Sequence, residues 1–256
     1  MSIEISGVTV GYGRERPIIE GIDLSIETGS ITALIGPNGC GKSTLLKTIG
    51  RLLKPRTGKV SVDGLDVGAT PAKRVAQTIA YLPQSPVVPT AITVEQLVAY
   101  GRAPHQSLLG IKSAADIEQI DHAIEMTGLQ ELRGKPVSEL SGGQRQRAFI
   151  AMVLAQDTPY VMLDEPTTFL DIRHQVETLE LVRALHALGR TSVVVLHDIG
   201  QAARFADCLV VMKAGRVAAQ GLPADVISAE LVREVYGLDC VVYPDPVSGT
   251  PVVAPR

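Results

Sequence analysis

Gly36-Pro37-Asn38-Gly39-Cys40-Gly41-Lys42-Ser43-Thr44 matches G-x-x-x-x-G-K-S in full, and no other stretch of this chain restricts its fold so tightly. The motif demands a strand before it and a helix after it. Ile31-Thr32-Ala33-Leu34-Ile35 is short and rich in β-branched residues, and Leu45-Leu46-Lys47-Thr48-Ile49 continues with helical spacing. Glycines at fixed positions let the backbone close around phosphate oxygens, so that successive N–H groups and the helix N-terminus face the anion together. Lys42 adds a mobile charge for the β- and γ-phosphates, and Ser43 offers a hydroxyl to Mg²⁺. A nucleoside triphosphate site is therefore expected over 36–44.

The 256 residues suffice for one large α/β domain or two small ones. A net charge of −3 and a pI near 6.0 give no sign of a nucleic-acid surface, so no nucleic-acid partner is expected. Met1-Ser2-Ile3-Glu4-Ile5-Ser6 has neither a basic n-region nor an apolar core of signal-peptide length. No run approaches the roughly 18 uninterrupted apolar residues of a spanning helix, so a cytosolic chain that does not cross a membrane is expected. Cys40, Cys208 and Cys240 lack metal-ligand spacing and read as reduced thiols.

Strand-like and helix-like runs alternate along the chain, which predicts α/β architecture. Short β runs broken by Gly11-Tyr12-Gly13 and Glu27-Thr28-Gly29, followed by Gly58-Lys59-Val60-Ser61-Val62, predict an antiparallel β portion beside the nucleotide core. Helical patterns at 93–98, 114–127 and 145–155 predict a helical subdomain inserted over about 86–157. The core then resumes with a strand at 160–163, a helix at 175–188 and a strand at 192–196, a parallel pair with its crossover helix. Residues 1–222 form the nucleotide-binding unit in this reading. The tail, 223–256, holds two short helical runs and then Pro244-Asp245-Pro246, which stops any helix, and it carries no legible role.

Tyr160-Val161-Met162-Leu163-Asp164-Glu165-Pro166 is an apolar strand ending in two carboxylates. Strand C-termini of a parallel sheet open onto the ligand crevice, which would set both acids beside the phosphates. Asp164 is placed to hold Mg²⁺ or its water, and Glu165 to serve as general base toward the attacking water, with Pro166 ending the strand. Leu140-Ser141-Gly142-Gly143-Gln144 leads into a further helical run. Ser141 reads as an N-cap, and the two glycines leave a second helix start open to an anion.

In this order, the phosphate loop, Leu-Ser-Gly-Gly-Gln and Leu-Asp-Glu-Pro resemble the ATP-binding cassette ATPases over about 3–221. The resemblance implies a P-loop NTPase fold with a RecA-like core, and two copies sandwiching two ATP molecules. Ser141, Gly142, Gly143 and Gln144 would then act in trans on the γ-phosphate bound by the other copy. It further implies that Tyr12 stacks on adenine, that Gln84 contacts Mg²⁺ and the water, and that His197 contacts the γ-phosphate and orients Glu165. Asp171 would cross the dimer interface and couple the two sites.

Two runs, 168–177 and Val98-Ala99-Tyr100-Gly101-Arg102-Ala103-Pro104-His105-Gln106-Ser107, look like cassettes that power uptake of ferric siderophores, haem and cobalamin, and most like the siderophore group. That likeness implies two membrane permeases and, indirectly, an extracytoplasmic binding protein as partners, with the chain at the cytoplasmic face. A non-transport cassette and an exporter cassette are the alternatives. His105, His174 and His186 are too scattered for a metal site. At Cys40, a helix start and Lys42 would depress the thiol pKa and expose it, against the plainer reading of a small residue at a variable loop position. Arg145 and Arg147 read as the solvated side of their helix or as dimer contacts, with phosphate compensation the alternative.

Overall fold

The computed structural model describes residues 2–13, 16–87, 91–106 and 111–256. Strands β1 (Ser2–Val10) and β2 (Ile19–Glu27) pair antiparallel and bury one face, from Ile3, Ile5, Ile22, Leu24 and Ile26, while alternate residues meet solvent. Next come β3 (Ile31–Ile35), buried at every position, and α1 (Lys42–Ile49). Strands β4 (Thr57–Val62) and β5 (Leu65–Asp66) complete a four-stranded sheet of order β2-β1-β4-β5. Helix α2 (Ala72–Ala76) leads into β6 (Ile79–Leu82), and a helical stretch follows with α3 (Val94–Tyr100), α4 (Ala114–Met126) and α5 (Gly142–Ala155). The chain then alternates through β7 (Tyr160–Asp164), α6 (Ile172–Ala187), β8 (Thr191–Val195), α7 (Ile199–Phe205), β9 (Cys208–Lys213) and β10 (Arg216–Gly221). Helices α8 (Pro223–Val226) and α9 (Ala229–Tyr236) and the hairpin β11 (Cys240–Pro244) and β12 (Pro251–Pro255) form the tail.

The second sheet has six strands in the order β10-β9-β3-β8-β7-β6, parallel except for β10 at one edge. Its central strands β3, β7 and β8 are buried at every position because both faces are covered. Leu34, Met162, Val193 and Val195 point to one side, into a core shared with α1 and the antiparallel sheet. Ala33, Ile35, Val161, Leu163 and Val194 point to the other side, under α3, α5, α6 and α7. The strand that carries the phosphate loop therefore lies between two separate cores.

Local capping sets the helix boundaries. Helix α6 begins at Ile172, three residues before the expected start, because the Asp171 carboxylate accepts the His174 amide at 2.9 Å. Likewise α5 begins at Gly142, not at Arg145, because Ser141 and Gln144 close a reciprocal capping box. Beyond the described part of the 98–107 run, Ser107 lies outside the described residues. Within it, Arg102 is buried: Nε donates to Asp116 Oδ1 at 2.8 Å and Nη1 to the Ala155 carbonyl at 2.8 Å. His105 Nε2 bonds the Gln156 carbonyl at 2.8 Å. Together these contacts join the end of α3 to the start of α4 and the end of α5.

The tail packs back onto the core. Val242 and Val253 of the hairpin rest on the helix-side core, with β12 against α7, and Lys213 Nζ donates to the Glu234 carbonyl of α9 at 2.6 Å. The Pro244-Asp245 stop becomes a hairpin turn, in which Asp245 Oδ1 accepts the Val247 and Ser248 amides.

The Ser113 amide and hydroxyl together with Arg102 hold the Asp116 carboxyl down at about 2. Its folded value is below the unfolded one, so its stabilisation is complete above about pH 4 and is lost as pH falls toward 2. Arg102→Ala should cost about 3–5 kcal/mol in urea unfolding at neutral pH, because it strands a buried carboxylate. That difference should narrow between about pH 4 and pH 2, as protonation removes the charge the arginine neutralised.

Candidate active site

The phosphate loop leaves β3 against the end of β9. A Cβ on Gly36 (φ 144°) would lie 2.1 Å from the Met212 carbonyl oxygen, so only glycine fits there. Gly41 (φ 109°) occupies the N-cap of α1, and no side chain caps that helix. The amides of its first turn and its positive dipole end are thus left for an anion. Lys42 is 5% exposed and turns back on the loop, donating to the Gly36 carbonyl at 2.7 Å and the Pro37 carbonyl at 3.1 Å. Asn38, Gly39, Gly41, Lys42, Ser43, Thr44, Ile18 and Glu165 line a cavity of about 160 Å³ over the loop.

Asp164 and Glu165 both reach this side. Ser43 Oγ donates to Asp164 Oδ1 at 2.7 Å, and Tyr81 Oη donates to Asp164 Oδ2 at 3.0 Å. Burial and the Asp164 charge push the Tyr81 phenol far above its ordinary value, which keeps it a donor. Glu165 adopts a left-handed backbone (φ 53°) and is only 9% exposed. Its Oε1 is 2.6 Å from His197 Nε2, while Oε2 accepts from Gln84 Nε2 and, at 3.2 Å, from Thr168 Oγ1. Gln84 follows β6 and His197 follows β8, so the sheet itself brings both onto the carboxylate.

The remaining motif residues sit apart from this cluster. Ser141, Gly142, Gly143 and Gln144 do not line the cavity. The second helix start is less open than its glycines implied: Ser141 Oγ accepts the Gln144 amide at 3.3 Å, and Gln144 Oε1 accepts the Ser141 amide at 3.1 Å. Gly143 is buried under His174, whose ring would lie 2.6 Å from a Cβ there. His174 Nδ1 in turn contacts Glu177 Oε2 at 2.9 Å. Asp171 keeps most of its carboxylate in solvent (68%) while it caps α6. Tyr12, half exposed, follows β1. Arg145 is exposed, whereas Arg147 folds under its helix toward the Thr127 carbonyl at 3.5 Å and is not on the solvated side.

Cys40 corrects one expectation. The thiol is 4% exposed, and burial raises its pKa, with Lys42 offsetting only part of the rise. Chain far away in sequence closes over the loop: the Gly215 amide donates to the Cys40 carbonyl at 3.0 Å, and the buried hydroxyl of Tyr236 in the tail lies near the Gly36 amide and the Cys40 thiol without hydrogen-bonding either. Burial pushes that phenol up to about 12. No motif in the sequence marks Tyr81, Thr168 or the His174–Gly143 contact. Only Tyr81 left a trace there, as the aromatic three residues before Gln84.

The family model for the ABC transporter matches residues 19–168. Over 97% of this chain and 92% of its own length, the ferric enterobactin transport ATP-binding protein FepC of Escherichia coli (strain K12) is 47% identical. The iron(3+)-hydroxamate import ATP-binding protein FhuC of Bacillus subtilis (strain 168) is 43% identical over 98% of this chain and 93% of its own. The dimeric structure of MJ0796, a bacterial ABC transporter cassette, superposes with a TM-score of 0.76 at 28% identity over 86% of this chain and 98% of that one.

A buried, protonated thiol reacts slowly. Maleimide labelling of native Cys40 should therefore be much slower than labelling of the same protein unfolded in urea, with mass spectrometry locating the adduct. Fast labelling of Cys40 in the folded protein would contradict its burial.

Proposed function

The chain belongs to the ABC transporter family of ATPases, and we propose that it is the ATP-hydrolysing subunit of an importer for a ferric siderophore. In this reading it works as two identical copies on the cytoplasmic side of two membrane permeases, which receive cargo from an extracytoplasmic binding protein. One observation carries the hydrolytic part: a carboxylate, Glu165, held by Gln84, Thr168 and His197 at the rim of a phosphate-loop cavity that Ser141–Gln144 of the same copy do not reach.

ATP would stack its adenine on Tyr12 and lay its phosphates along 36–44, taking Lys42 from the Gly36 and Pro37 carbonyls. Ser43, Asp164 and Gln84 offer hard oxygen donors of the kind Mg²⁺ takes, and the first two already lie 2.7 Å apart, so these residues fit that ion. When bound, the ion neutralises charge on the phosphates. Glu165 accepts a proton from the attacking water. Both of its oxygens are engaged, so one donor must yield first, and His197 is the partner that turns to the γ-phosphate. Ser141, Gly142, Gly143 and Gln144 of the second copy close the site, and Asp171 crosses the interface between copies.

The 86–157 helical unit faces the permease. Between it and the core lies an apolar groove of about 400 Å³, lined by Leu52, Val75, Tyr81, Tyr100, Pro104 and Met152 among others. Tyr100 and Leu52 are exposed there. The occupant proposed for the groove is a short cytoplasmic helix of a permease, and 223–256 serves as a brace behind the core.

Glu165→Gln should lower turnover by about 10²–10⁴-fold while ATP stays bound, and a stable dimer should then appear in light scattering with ATP. Full steady-state activity in that variant would overturn the base assignment. Lys42→Ala should raise the Kd for ATP itself. Uptake of labelled ferric siderophore, haem and cobalamin in cells lacking the protein tests the cargo: loss of cobalamin uptake alone would refute the siderophore reading.

A further inference from the structure

Among the described residues, Tyr81 is the one whose ring lines the groove and whose polar tip touches a carboxylate of the phosphate site. It sits on β6 at the edge of the six-stranded sheet, where Tyr81 pairs with Met162 of β7. Ala80 and Leu82 turn into the helix-side core; Tyr81 and Ile79 turn the other way. That direction brings the ring against the end of α1, where a Cβ on Gly50 would lie 3.3 Å from Cδ2. The same ring walls the groove with Leu52, Tyr100 and Met152. Its hydroxyl reaches inward to the end of β7, donating to Asp164 Oδ2 at 3.0 Å.

Asp164 is thus gripped from two sides, by Ser43 on Oδ1 and Tyr81 on Oδ2. The two donors decide which way the carboxylate plane faces. Three residues after Tyr81, Gln84 holds the neighbouring Glu165. A single short segment, β6 and its exit, therefore supplies a donor to each of the adjacent acids, and its outer surface is the groove.

We propose that Tyr81 is a positioning residue for Asp164, which orients that carboxylate toward the divalent cation. This rests on the reading of Asp164 as a cation ligand. One side chain thus walls the groove and holds Asp164, beside the Gln84 contact on Glu165.

Tyr81→Phe keeps the ring and removes only the hydroxyl, whereas Tyr81→Leu removes the aromatic wall as well. Both are compared in full-length protein carrying Glu165→Gln, which should hold ATP with strongly reduced turnover, with Mn²⁺ affinity read by electron paramagnetic resonance and metal-free ATP binding read separately. Hydrogen-bond partners of metal ligands typically alter affinity 10–100-fold, so Tyr81→Phe should weaken Mn²⁺ by about tenfold and leave metal-free ATP binding unchanged. Tyr81→Leu should do no less. Unchanged Mn²⁺ affinity in a folded Tyr81→Phe would overturn the proposal, as would a loss confined to Tyr81→Leu, which would make the ring a packing element only. Asp164→Asn separates the two readings: if it binds Mn²⁺ normally, the ligand assignment of Asp164 has failed rather than its link to Tyr81.

Discussion

Neighbouring residues on a strand point to opposite faces, yet this site needs two neighbours, Asp164 and Glu165, on the same side. The backbone reconciles them at Glu165, which turns into the left-handed region (φ 53°) immediately after β7 ends. For a residue with a side chain that conformation costs roughly 1–2 kcal/mol. It persists because the carboxylate it presents is held by His197 from the end of β8, by Gln84 from the end of β6, and by Thr168 three residues on. The order of β6, β7 and β8 in the sheet is what brings those donors within reach of one another. Tyr81 and Ser43 complete the arrangement on the Asp164 side.

Much of this was legible because it is local. A glycine pattern between a β-branched run and a helical run marks a phosphate loop wherever it stands, and an apolar run ending in two acids marks a strand that opens on a crevice. Capping was legible in kind but not in detail. Ser141 is legible as a cap, but the reciprocal bond from Gln144 that narrows the helix start depends on a rotamer. Asp171 began its helix three residues earlier than apolar spacing alone suggested.

Illegible features all depend on contacts between distant parts of the chain. Local chemistry at Cys40, a helix start and a lysine, argued for a reactive thiol. Burial won because strand β9 and the tail close over it, and a desolvated thiolate is costlier than one lysine repays. Gly143 reads as a free turn glycine until His174, which arrives with the next helix, covers it. The tail carried no motif at all, because its contribution is apolar contact with α7 and a tyrosine turned to the back of the phosphate loop.

The position of β3 has a consequence for how the protein comes into being. Its neighbours in the sheet are β8 on one side and β9 on the other, so the strand that launches the phosphate loop, complete at Ile35, finds its flanking partners only when the chain has been made through Lys213. At ribosomal speeds of about 5–20 residues per second, that interval lasts roughly ten to forty seconds. Until β8 is complete at Val195, this fully buried strand is unpaired on both edges, while β1 and β2 can already form their hairpin. Nucleotide binding is therefore one of the last properties a nascent copy acquires, although the motif responsible for it emerges among the first.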